Sequence, residues 1–270
     1  MRQRLRKDPL LLGGMVFLVL LVLFAVFGPH LRHDPFLQNG GTHLPPGGDY
    51  WLGTDTVGRD TFSRLAYGAR LSLYIGLVVQ SISLGVGILM GVLGTFSPRW
   101  LGSLIMRFTD VMFAFPDILL AILIITVVGM GVKPVIVALS ITAWPAIARL
   151  VKTQLATLKD REFVVAARAS GASTAYLVFK HVLPQLWGIL MAVTMVELAG
   201  TILSESTLSF LGIGIQAPDP SWGSMIQSAR MQMNSYPMEL LYPCVILSLT
   251  IFALNFVGDG LRAALDPKSS

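Results

Sequence analysis

Four carboxylates stand in or beside long apolar runs of this chain: Asp110, Asp117, Glu197 and Glu205. An ionisable group at membrane depth is costly, so it faces a water-filled cavity or a partner, where it can hold a proton or meet a cation. Glu197 and Glu205 are eight residues apart, which on a helix is about 80° of rotation and about 12 Å of rise. With Asp117 they are candidates to line a path for an ammonium group or a cation. The alternative for the glutamates is a structural pair or a hydrogen bond to a partner subunit. Other chemistries are poorly served. The single cysteine, Cys244, excludes an intrachain disulfide and a cysteine-based zinc cage. His30, His33 and Asp34 cluster near one apolar end but fall short of a full ligand set, so no metal site is expected. None of the six lysines follows a glycine, so the phosphate-binding pattern G-x-x-x-x-G-K-[ST] is absent. No Ser/His/Asp or Cys/His pattern is recognisable, and neither an enzyme nor a resident cofactor is expected.

The elements that position these carboxylates are set by composition. The 270 residues are 54% hydrophobic and 13% charged, with a mean hydropathy of +0.69. A soluble domain carries about 25% charged residues, so the solvent matching this chain is a bilayer. Spanning one takes about 20 apolar residues. Six runs qualify: 9–29, 71–98, 111–132, 134–151, 186–214 and 240–258. Arg2, Arg4, Arg6 and Lys7 before the first run resemble a signal peptide, but the run is too long and no good small-residue cleavage site follows, so an uncleaved span is expected. With the N-terminus inside, the inner segments hold 14 of the 20 Lys and Arg residues, which favours both termini in the cytoplasm. The expected organisation is a cytoplasmic N-terminus at 1–8, a first helix at 9–29, an outer loop at 30–70, a five-helix unit at 71–258 and a cytoplasmic C-terminus at 259–270.

One inner segment, 152–185, is far longer than a connection needs. Asp160 is placed to cap a short helix, and Gly171 to end it in the left-handed conformation. Between them, Phe163, Val164, Val165, Ala166 and Ala167 form an apolar patch flanked by Arg161 and Arg168. Such a helix either lies on the inner leaflet or docks in a groove of another protein.

The spacing of this segment resembles a known family. Ala166-Ala167, three residues, Gly171, nine residues, then His181-Val182-Leu183-Pro184 is similar to the "EAA" loop of ABC importer permeases, with Val165 in place of the Glu and His181 in place of the Ile. Trp51-Leu52-Gly53-Thr54-Asp55, Gly58-Arg59-Asp60, Leu208 to Gly212, Pro220-Ser221-Trp222-Gly223, Asn255 to Arg262 and Leu265-Asp266-Pro267 resemble the dipeptide/oligopeptide/nickel branch. Together, in order and over nearly the whole chain, these short matches identify it as similar to the second, "C-type" permease subunit.

That resemblance implies an all-α, multi-pass protein of the bacterial inner (cytoplasmic) membrane. It would have six transmembrane helices, both termini inside, and the type I importer permease fold. It implies di- or oligopeptide import, with nickel as the alternative cargo within the branch. It further implies a homologous permease partner, two ABC ATPase subunits that bind the ATP and magnesium, and an external substrate-binding protein. Asp160, Phe163, Ala166, Ala167, Arg168, Gly171, Leu183 and Pro184 would then form the ATPase-coupling loop. A self-contained ion-driven transporter using Glu197 and Glu205 as proton sites, and a membrane scaffold, are the readings of a different class.

Overall fold

The computed structural model describes residues 8–265. The basic residues at 2–7 and the closing residues 266–270, on which the terminal segments of the sequence reading partly rest, lie outside the described residues. Among the described residues the regular structure is helical, apart from two isolated bridges, Gly47 with Tyr50 and Thr54 with Asp60.

Helix α1 (Pro9–Leu31) opens on Asp8, whose carboxylate accepts the N–H groups of Leu10 and Leu11. Helix α2 (Thr61–Phe96) starts ten residues before the apolar run, because Asp60 caps it through the Phe62 N–H and a 2.7 Å bond from the Ser63 hydroxyl. The third apolar run is not one helix. The chain forms α3 (Arg99–Ala114) and α4 (Asp117–Val128), bent against each other by 91°. The cause is Pro116, which has no N–H to donate and pushes the preceding residue, Phe115, into extended backbone. Helix α5 (Val132–Leu158) and helix α7 (Thr174–Phe210, with a π-helical stretch at Leu177–Val182) extend well past their apolar runs. Most of the 152–185 segment is therefore helix continuing from the spans, and the connection holds one short helix, α6 (Glu162–Ala169). Helices α8 (Trp222–Arg230) and α9 (Pro237–Leu265) complete the chain. Five of these are long and apolar enough to cross a bilayer, and six spans result when the bent α3–α4 pair counts as one.

The packing centres on α2. Ideal Cβ atoms on Gly87 and Gly91 would lie 2.6 Å from Ile147 and 2.7 Å from Val151 of α5, so only glycine permits this approach. The constant offset of sixty residues shows that the two helices run parallel. Without hydrophobic drive between helices in lipid, such close backbone contact supplies the association. Three clusters surround α2. Leu21 and Ala25 of α1 meet Leu198 and Ile202 of α7, Trp222 of α8 and Leu254 of α9. Ile125 of α4 meets Val79 of α2 and Leu139 of α5. Leu155 of α5 meets Val164 of α6 and Leu177 and Val182 of α7.

The long segment between α1 and α2 is a folded cap rather than a free loop. Asp55 accepts the Val57 and Arg59 N–H groups and pairs with Arg59 Nε at 2.7 Å and Arg64 Nε at 3.3 Å. His43, stacked on Tyr236 with ring centroids 3.9 Å apart, donates to Glu239 at 2.6 Å and ties the cap to the start of α9.

Gly91→Leu is expected to overpack the α2–α5 contact and cost about 1–3 kcal/mol. Gly13→Ala, where an added Cβ meets nothing within 4 Å, is expected to be neutral or slightly stabilising. Thermal unfolding of the two variants in detergent measures the difference.

Candidate functional site

Two of the three candidate path carboxylates come together. Asp117 begins α4, directly after the break at Pro116, and Glu197 lies midway along α7. Both line a cavity of about 150 Å³ whose wall also holds Phe113, Thr142, Thr201 and Ser204. The wall is mostly small or hydroxylic on α5 and α7, which leaves the carboxylates accessible. Its α7 side is fixed from behind: the Thr201 hydroxyl accepts a 2.7 Å bond from Gln80 of α2 and donates to the Glu197 carbonyl at 2.9 Å. Phe113 carries the Arg149 guanidinium 3.9 Å above its ring, and Arg149 donates to Asp110 at 2.6 Å. A cation held by α3 thus flanks the acidic cavity.

Glu205 does not share that cavity, contrary to the expectation from its spacing. It is completely buried. Its carboxylate accepts from the hydroxyls of Ser72 at 3.0 Å, Ser209 at 2.8 Å and Ser206 at 3.4 Å. The physical reason is the 80° between the two glutamates: one faces the open side of α7, the other its packed side against α2 and α8. Ser209 also accepts the Ile215 N–H at 3.0 Å, so the carboxylate organises the chain reversal at the end of α7. The adjacent Trp222 is fully buried and donates to the Leu65 carbonyl at 3.3 Å.

The candidate coupling segment is built around one anchor. Val164 is completely buried against α5 and α7, whereas its neighbours Phe163 and Val165 are exposed. Ala166 and Arg168 are exposed as well, and Ala167 packs against the same cluster as Val164. Gly171 adopts φ +83, with the Ala172 N–H bonded to the Ala167 carbonyl at 3.1 Å and the Gly171 N–H to Arg168 at 3.0 Å. This is the reversed turn that stops a helix and favours glycine for its backbone alone. The expected cap at Asp160 is corrected: Arg161 is the first flanking residue, without a side-chain cap, and Asp160 is an exposed turn residue before it. Leu183 packs partly against the α5–α7 cluster, and Pro184 is exposed in the first turn after the π-helical stretch.

The sequence reading missed the serine cage and the Arg149–Asp110 pair. Ser209 lies in a quoted motif and Asp110 was among the buried-depth acids, but neither pairing follows from spacing, because each joins helices distant in the chain.

The fold and these surfaces define a membrane transport subunit, and comparison with known proteins makes the class specific. Residues 83–270 match the family described as "Binding-protein-dependent transport system inner membrane component", and the chain belongs to that family. Residues 1–46 match the "N-terminal TM domain of oligopeptide transport permease C". The chain is therefore an inner-membrane permease subunit of an ABC importer, a class that works with ATPase and binding-protein partners. Among its relatives, the oligopeptide transport permease OppC of Bacillus subtilis is 37% identical, over 98% of this chain and 88% of the relative. The di/tripeptide permease DppC of Pseudomonas aeruginosa is 42% identical, over 95% and 88%. The glutathione permease GsiD of Escherichia coli is 38% identical, over 98% and 89%. A chain of the inward-facing MetNI methionine ABC transporter shares the fold, with a TM-score of 0.63 and 21% identity over 75% of this chain and 96% of that one.

The two glutamates should separate in stability measurements. Glu205→Ala leaves three buried hydroxyls without their acceptor and is expected to cost about 1–3 kcal/mol. Glu197→Gln, on a cavity wall, is expected to stay within about 0.5 kcal/mol of the native chain. Thermal unfolding of both variants, followed side by side, checks this ordering.

Proposed function

We propose that this chain forms, with a homologous permease, the translocation path of an ATP-driven importer for di- or oligopeptides. Two separate ATPase subunits would bind the ATP and magnesium, and an external binding protein would deliver substrate. Peptide as cargo is supported by the relatives, which are named as permeases for oligopeptides, di- and tripeptides, and glutathione.

The observation that carries the coupling role is the exposed face of α6. Phe163, Val165, Ala166 and Arg168 point away from the body of the protein while Val164 fixes the helix to it. An apolar face beside small residues, with a cation at its rim, suits insertion into a groove of an ATPase subunit. Movement of that groove would reach α5 and α7 through Val164, and both helices line the cavity with Asp117 and Glu197. The two carboxylates would meet the peptide's ammonium end, with Arg149 at the flank opposing its passage until α3 and α5 separate.

Val165→Asp puts a charge on the docking face and leaves Val164 in place. In proteoliposomes holding the complete importer, peptide uptake and substrate-stimulated ATP hydrolysis are expected to fall together by at least about tenfold, the scale of losing one central interface residue. Unchanged uptake would sink the coupling role. Uptake by this permease and its partner without any ATPase would sink the importer mechanism.

In the same assay the double variant Asp117→Asn/Glu197→Gln is expected to reduce uptake of a free dipeptide while assembly and basal hydrolysis persist. Native uptake by that variant would remove the carboxylates from the path.

A further inference from the structure

The turn between α2 and α3 joins two hollows of opposite chemistry. On one side is a polar recess of about 410 Å³ whose wall includes Arg99, Arg107, Lys152 and the hydroxylic Ser97 and Ser103. Among the described residues none of these three cations forms an ion pair. The acid in the wall, Asp110, is already engaged by Arg149 at 2.6 Å. Helix α3 also begins here without a side-chain cap, so its first N–H groups add positive potential to the same recess.

On the other side is an apolar groove of about 550 Å³ between the last half of α2 and the start of α7. Leu89, Val92, Leu93 and Phe96 form one wall, and Val178 and Phe179 the other. Ser97 lines both hollows, so they adjoin at this turn. From Ser97 back to Gly85 the groove follows α2 for about 18 Å at 1.5 Å per residue. That is close to the depth of one leaflet, half of a roughly 30 Å core. Trp100, exposed at the same turn, is the residue type that marks a headgroup level, and the Lys/Arg distribution assigns this turn to the inner side.

We propose that the two hollows together bind one anionic glycerophospholipid of the inner leaflet, its phosphate in the recess and an acyl chain in the groove. Charge complementarity selects this occupant. A neutral helix of another subunit would leave three cations unmatched, and a free phosphate would leave the groove empty. The lipid would fill the space between α2 and the first turns of α7, next to the coupling helix. Its occupancy would therefore stiffen the contact through which α6 acts.

The test is native mass spectrometry of the complete, delipidated importer, titrated with phosphatidylglycerol or with phosphatidylcholine of the same chain length. The expected result is one retained phosphatidylglycerol for each copy of this chain, with phosphatidylcholine held about tenfold more weakly, the scale of losing attraction to a few juxtamembrane cations. Arg99→Gln/Arg107→Gln should abolish that preference, and Lys152→Gln alone should weaken it in case the double variant fails to assemble. Val92→Trp, which fills the groove, should reduce retention of both lipids. Glycerol phosphate, which lacks chains, should not compete. Equal retention of the two lipids, a preference unaffected by both cation variants, or no retained lipid at all would overturn the proposal.

Discussion

The contact between α2 and α5 is the constraint on which the rest of the molecule depends. In lipid, helices gain little from burying apolar surface against each other, so the association rests on how closely backbones approach. Gly87 and Gly91 bring α2 against Ile147 and Val151, and this fixes two parallel elements as one unit. Everything else is arranged around it. The outer end of α2 is tied down by Asp60 and by the Asp55–Arg59–Arg64 group. Its middle supplies Ser72 and Gln80 to α7. Its inner end turns at Ser97 into α3, and so carries the wall of the cavity back up through Phe113.

Within that frame the carboxylates are handled in three different ways. Glu205 is enclosed by serine hydroxyls and sealed from solvent, so it holds α2, α7 and the reversal after α7 together. Asp110 is met by Arg149, whose guanidinium also lies over Phe113. Among the described residues, Asp117 and Glu197 have neither a cage nor an ion-pair partner, and they sit on a cavity wall. An uncompensated acid at membrane depth is expensive unless water or a ligand reaches it. The fold accepts that cost only where the two acids face open space.

Much of this was legible in the sequence, for physical reasons that can be stated. Apolar runs report bilayer depth, so the helices were found, but their ends were not. Caps and protruding turns obey local hydrogen bonding rather than hydropathy, and α2 therefore begins at Asp60 and α5 runs on to Leu158. The break at Pro116 was visible as a proline but not as a 91° bend, since prolines inside α5 and α9 are accommodated within continuous helix. Gly171 was legible because a left-handed stop strongly favours glycine. The separation of Glu197 from Glu205 was not. Spacing gives their relative rotation, whereas only the neighbours of α7 decide which side is open.

The proposed coupling path has a mechanical logic that follows from the same packing. Val164 meets Leu155 near the inner end of α5, and from there to Thr142 on the cavity wall the helix covers about 20 Å. A helix held by continuous hydrogen bonds moves as a rod, so under the proposed coupling a displacement at α6 would arrive at the cavity largely undiminished. The exception lies at the cavity itself. Pro145 cannot donate to the carbonyl of Ile141, which removes one rung of the ladder between Thr142 and Ala146. In the proposed mechanism the rod would be rigid where it transmits and most compliant where the wall opens. The Arg149–Asp110 contact one turn further in joins α5 to α3.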